Sequence, residues 1–209
     1  VRPYWKDDKG KANWKLIETN AKPFGKAGAI AIAWNKPYFL FNEVVLPFLK
    51  TNPGWESLQK KVDGLDIERR WKIDVYKNVV DYYLYYPFGK DPDPNLSTVI
   101  RLFNFYLTYP NNGLKDGNKA NDMAWMAFNR FKDTEDLRAA LLWSRIAMGY
   151  SGGAPAPEDI DTYANLLYKL GEKEQAILQE TIALQKSPGN KEFTETLQKM
   201  KTGLKTWQE

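Results

Sequence analysis

Small residues set at helix-seam spacing constrain this chain more tightly than any other feature. In the segment Asp161-Thr-Tyr-Ala-Asn-Leu-Leu-Tyr-Lys-Leu-Gly171-Glu-Lys-Glu-Gln-Ala176-Ile-Leu-Gln-Glu-Thr-Ile-Ala183-Leu-Gln-Lys-Ser-Pro188, the residues Ala164, Ala176 and Ala183 carry no side chain past Cβ. Two antiparallel helices can therefore approach closely along one seam, with Leu167, Leu170, Ile177 and Leu184 filling the volume around it. Gly171 interrupts the pattern where a positive φ would end the first helix, and Glu172 and Glu174 put favourable negative charge at the start of the next. Pro188 arrives a few residues after the second helix should end, where its missing N–H costs little. The spacing predicts a helical hairpin, either an ordinary one or one unit of an array.

The same alanine, glycine and proline positions resemble one tetratricopeptide (TPR) repeat. A repeat exposes a face that only a neighbour covers, so the flanks should hold relatives. Upstream, Leu137-Arg-Ala-Ala140-Leu-Leu-Trp-Ser-Arg-Ile146-Ala147-Met148 matches the second helix of the hairpin at an offset of 36 residues, because Ala140 falls on Ala176, Ile146 on Ile182 and Ala147 on Ala183. That offset is close to the ~34 of the repeat type. Its partner would be a helix over 121–131, ending before the polar Lys132-Asp-Thr-Glu-Asp136 turn; aligning it needs an extra residue or two, so this unit is degenerate. Downstream, Phe193, Leu197 and Met200 recur at helical spacing among polar residues, as a solvating terminal cap should.

Residues 121–203 also resemble the C-terminal helical extension of certain bacterial envelope proteins of the thioredoxin family. Asn121-Asp-Met-Ala-Trp125 and the Asp161 to Gly171 segment carry the likeness, over roughly two fifths of the chain. The resemblance implies an accessory helical domain in the periplasm or cell envelope, with a catalytic domain outside this chain. Thioredoxin chemistry needs a Cys-x-x-Cys pair and the chain has no cysteine, so no redox residue carries over.

The chain of 209 residues, 43% hydrophobic, can bury one sizeable core or two packed helical subdomains. Zero histidine and zero cysteine remove the usual zinc ligands, the thiol nucleophile and the imidazole base. No cofactor and no metal are expected. Catalysis, if any, would run on carboxylates, lysine, tyrosine or hydroxyls, and a carbohydrate-active alternative would use Glu158, Asp159 and Asp161. Following Pro155 and Pro157, those acids equally suit a helix N-terminus. The chain starts Val1-Arg-Pro-Tyr-Trp, with no visible signal peptide. No window approaches the ~18 apolar residues of a membrane span. The most apolar run, 27–34, alternates as a strand could, but its alanines and the pattern after it favour helix.

The N-terminal half is the aromatic half. Apolar groups at three and four residue steps over 66–86, stopped by Pro87, predict one long helix; Ile73, Tyr76, Val80 and Leu84 give it a second apolar face, as in the centre of a bundle. Leu96, Val99, Ile100, Phe103 and Leu107 outline another helix between Pro94 and Pro110. The turn-rich stretch 110–118 marks a boundary between residues 1–110 and 111–209, or else a long loop in one array. The expectation is an all-α protein of about eight to ten helices, a TPR-like array of hairpins packed on an aromatic-rich helical half. Twelve tyrosines and eight tryptophans invite a carbohydrate- or peptide-binding platform, or plain packing between helices.

Net charge is +4, concentrated in the first fifty residues, yet the lysines are scattered and no recognition motif accompanies them, so nucleic acid is not an expected partner. The function expected is non-catalytic binding of a peptide or protein, with carbohydrate binding as the alternative; oligomeric state is not legible. On the helix after Pro157, Asp161, Asn165, Tyr168 and Lys169 share a face, which in a repeat of this kind would line the concave surface. Asn165 followed four residues later by Lys169 resembles half of the clamp with which some TPR proteins hold a peptide carboxylate. Asp161 departs from that clamp, since a carboxylate stands where a cation would serve.

Overall fold

The computed structural model describes residues 19–20, 22–85, 93–109, 117–150 and 154–208, and among these the regular structure is helical with no strand. The chain divides into two compact units between Tyr109 and Pro110. The boundary loop expected at 110–118 lies mostly outside the described residues, as do the first residues of the chain and Pro87.

In the first unit, α1 (Gly25–Leu40) runs through a π-helical turn, Phe41–Val45, into the short α2 (Leu46–Leu49). The apolar run at 27–34 is helical. Two prolines bracket the π turn. Pro37 and Pro47 each lack the N–H that would close an α-helical bond, and between them the ladder slips so that the Leu46 N–H reaches back to the Phe41 carbonyl. There follow α3 (Trp55–Asp63), α4 (Arg69–Tyr85) and α5 (Leu96–Thr108). Helix α4 is central, touching α1, the π turn, α3 and α5. It begins at Arg69 rather than Asp66, because Ile67 N–H bonds the Leu65 carbonyl (2.9 Å) in a turn that precedes it.

Asn52 holds this unit's connections. It adopts a positive φ of 53°, tolerable for an asparagine. Its amide donates to the Asp93 carbonyl (2.8 Å) and accepts from the Asn95 N–H (2.7 Å). Asn95 in turn caps α5, its side chain accepting from Thr98 N–H at 3.1 Å. The rings here pack on one another: Tyr76 and Phe105 lie 4.7 Å apart, Trp55 and Phe105 5.3 Å, Phe105 and Tyr109 5.2 Å.

The second unit comprises α6 (Gly117–Arg130), α7 (Thr134–Tyr150), α8 (Pro157–Lys169), α9 (Lys173–Lys186) and α10 (Lys191–Thr202), each packed on the next, with α6 also touching α8. Asp133 starts α7 by accepting from Glu135 N–H at 2.9 Å. The α8–α9 seam is as its alanines require. Ala164 and Ala176 are fully buried in one cluster with Leu167, Tyr168 and Met200, while Ala183 packs with Ile160 and Phe193. Gly171, at φ 88°, ends α8 through paired bonds from Gly171 N–H to Tyr168 O (3.0 Å) and Glu172 N–H to Leu167 O (2.9 Å). Gly203, at φ 78°, repeats that pair after α10, where Gly203 N–H meets Met200 O (3.3 Å) and Leu204 N–H meets Lys199 O (2.9 Å). The chain is thereby turned back. At the offset of 36 residues, burial also repeats: Ala140 and Ala176, and Ala147 and Ala183, are buried, and Ile146 and Ile182 are both half-buried.

Candidate functional site

Of the four residues placed on one face of α8, three point into the unit. Asp161, Asn165 and Tyr168 are buried, at 6%, 2% and 5% exposure, so they do not line an open concave surface. The physical reason is the seam itself. Ala164 and Leu167, on the same helix, must reach α9, and the residues flanking them are drawn in with them. Asn165 donates from Nδ2 to Asp161 Oδ1 and to the Asp161 carbonyl, both at 3.0 Å, and Tyr168 donates its hydroxyl to the Met200 carbonyl at 3.3 Å. The amide of Asn165 is thus spent inside the helix pair.

The partner that the spacing did not reveal is Glu180 on α9, which has no exposed surface. Neither of its carboxyl oxygens meets a hydrogen-bond partner at standard geometry, while the Asp161 carboxyl acts on it both as a charge and as a hydrogen-bonding group. Burial and then the Asp161 charge push the Glu180 carboxyl well above its ordinary range. Burial raises Asp161 as well, opposed by the hydrogen bonds from Glu180 and Asn165. The two enclosed carboxyls therefore oppose each other's ionisation, and the charged form of Glu180 is strongly disfavoured. The exposed Glu192 of α10 adds a further repulsive charge. The three acids of a carbohydrate-cleaving arrangement are separated by burial. Glu158 is exposed, while Asp159 and Asp161 are enclosed in the first turns of α8.

Lys169 lines a cavity. About 650 Å³ in volume, the cavity is walled by the end of α6 and the turn after it, the end of α8, and the tail returned by Gly203. Among the described residues that line it, the charged ones are Arg130, Lys132, Lys169 and Lys205. Lys169 is half-buried, donates from Nζ to the Phe128 carbonyl, and lies 5.3 Å from the centre of the Phe128 ring and 5.6 Å from that of Trp207. Burial, then the charge of Lys132, lowers its pKa. Trp207 is fixed edge-on against Tyr168 (6.3 Å) and Phe128 (6.4 Å). Asn129, Thr134 and Gln208 add neutral polar groups. Chemically, the cavity offers cations and neutral polar groups beside an aromatic wall. A smaller cavity in the first unit, about 410 Å³, is lined by Val44, Phe48 and Leu65 together with Lys60 and Lys61.

Among the described residues no cluster of three or more acids could hold a metal ion, and no helix is long and apolar enough to cross a membrane. The chain matches no protein-family profile, and neither curated proteins nor solved structures gave a significant match to it.

Proposed function

We propose that residues 110–209 are a non-catalytic, TPR-like binding scaffold that takes an anionic group of a partner peptide or protein into the cavity at Lys169. The observation that carries this reading is the setting of Lys169, a half-buried ammonium that lines a cavity. A half-buried ammonium facing a carbonyl and two rings has lost water without gaining an opposite charge there, and an incoming anion supplies it. The neutral groups of Asn129, Thr134 and Gln208 suit the main chain of an extended segment. On the sequence resemblance, the same proposal makes the chain the accessory helical part of a thioredoxin-family protein of the bacterial envelope.

Peptides identical except for a free or an amidated C-terminus, titrated into the whole protein and into Lys169→Met by calorimetry, test it. Acidic peptides should bind the parent protein and lose about tenfold in affinity with Lys169→Met. Acidic and amidated peptides that bind equally, or not at all, would remove the cavity from the protein's function.

A further inference from the structure

We infer that the cleft of the first unit binds an anionic amphiphile, an aliphatic chain ending in a carboxylate, with the chain against Val44, Phe48 and Leu65 and the carboxylate at Lys60 and Lys61. The inference is independent of the cavity at Lys169 and of what that cavity holds. Its basis is a mismatch between two walls. On α3 and its C-cap, Ser57, Lys60, Lys61 and Gly64 follow one another at steps of three and four residues and line the cleft as one stripe. The other wall is Val44, from the π turn, and Phe48, from α2, both half-buried, with the buried Leu65 beside them.

Elsewhere the same segments bury apolar groups only: Leu58 and Val62 of α3, Val45 of the π turn and Leu49 of α2 all belong to the core. Along the cleft, apolar side chains meet small and charged ones instead. Ser57 and Gly64 are too small to fill the space, and an ammonium does not leave water for an apolar wall unless an opposite charge receives it. About 410 Å³ is left, within the ~300–1,000 Å³ of small-molecule sites. Lys61 crosses the cleft, its Nζ lying 5.8 Å from the centre of the Phe48 ring, so charge stands at the edge of the apolar wall. The acids nearest in sequence are engaged elsewhere: Glu56 pairs with Arg101, and Asp63 Oδ1 accepts from the Tyr76 hydroxyl at 3.2 Å. Among the described residues neither Lys60 nor Lys61 is in an ion pair. A wholly apolar molecule would leave both ammoniums unanswered, and a small anion would leave Val44, Phe48 and Leu65 wet. An aliphatic carboxylate satisfies both walls at once. Val44 also belongs to a π turn, a feature that recurs at functional sites.

The whole protein is titrated by calorimetry with three probes: decanoate below its micellar concentration; decyltrimethylammonium, which keeps the chain and reverses the charge; and butanoate, which keeps the charge and removes most of the chain. Decanoate should bind about tenfold tighter than either of the others. Lys60→Gln together with Lys61→Gln should remove its advantage over the cation. Ser57→Phe, at an exposed position, should fill the cleft and abolish binding at an unchanged melting temperature. A decanoate analogue with a diazirine on its chain gives a reading that needs no variant, since on photolysis it should label residues within 44–65. Equal affinity for decanoate and decyltrimethylammonium, or for decanoate and butanoate, would overturn the inference. So would label confined to the second unit, or decanoate binding abolished by Lys169→Met. A protein that ignores free decanoate yet sediments with anionic vesicles, less so in the glutamine pair, would overturn it in favour of a lipid surface. Acidic peptides should bind at Lys169 equally well in the glutamine pair, so the two readings fail separately.

Discussion

The α6–α7 hairpin and the α8–α9 hairpin put alanines at the same seam positions and treat one other position oppositely. At the offset of 36 residues, Ser144 on α7 corresponds to Glu180 on α9, and both are fully enclosed. Ser144 is small and meets its requirement with a long hydrogen bond, 3.5 Å, to the Asp159 carbonyl. Next to it in the same helix, Trp143 is wholly buried and edge-on to Phe131 at 6.4 Å. Glu180 brings a carboxyl into the equivalent place and is answered by another carboxyl, that of Asp161. One hairpin therefore spends its interior on packing and the other on a protonation equilibrium. A shared backbone arrangement sets which positions are enclosed without deciding whether the enclosed group is neutral.

The contrast can be broken by substitution, beginning where the loss should be greatest. Trp143→Ala should cost about 3–5 kcal/mol in urea denaturation, since a large ring leaves a cavity the neighbouring helices cannot fill. A loss below about 1 kcal/mol would show that the first hairpin does not depend on its apolar interior. Ala140→Leu and Ala176→Leu should each overpack a seam, at about 1–3 kcal/mol. Matching losses would sustain the equivalence of the hairpins, and an unchanged melting temperature for either would end it.

The acid pair gives a change of opposite sign. Glu180 is raised from the ordinary carboxylate value of 4.5, so the folded protein keeps a proton that the unfolded chain releases. Stability is then greatest below that value and declines as pH climbs through the interval between the unfolded and folded pKa, with a slope of up to about 1.4 kcal/mol per pH unit from this group. Glu180→Gln cannot ionise and still offers Asp161 a donor; it should raise stability at pH 7 by about 1–2 kcal/mol and flatten the decline. A variant as pH-dependent as the parent would show that the proton sits elsewhere. Smallest of all, Ser144→Ala should change stability by less than about 1 kcal/mol, because the hydrogen bond it removes is long.

Where the chain announced its structure, local residue chemistry did so. The alanines of α8 and α9 and the left-handed glycine between them specify a hairpin without reference to anything distant. The π turn between Pro37 and Pro47 went unread because each proline alone is compatible with an ordinary helix. The candidate site was legible by composition and not by direction. Asp161 and Asn165, four residues apart, share a helix face whether that face looks to water or to a neighbouring helix, and Glu180 decides the matter from α9. The basic cavity was still less visible, because Lys205 and Trp207 belong to no periodic pattern and join Lys169 only through the turn at Gly203.

That turn makes one wall of the cavity out of the segment that follows α10. Any displacement of that segment takes Lys205 and Trp207 away together. Occupancy of the cavity and docking of the segment are then two readings of one equilibrium, and the observed affinity equals the intrinsic one diminished by the fraction of molecules in which the segment is docked. The practical consequence reaches the bench: a substitution at Gly203, whose φ of 78° suits glycine, would weaken binding without touching any residue that lines the cavity.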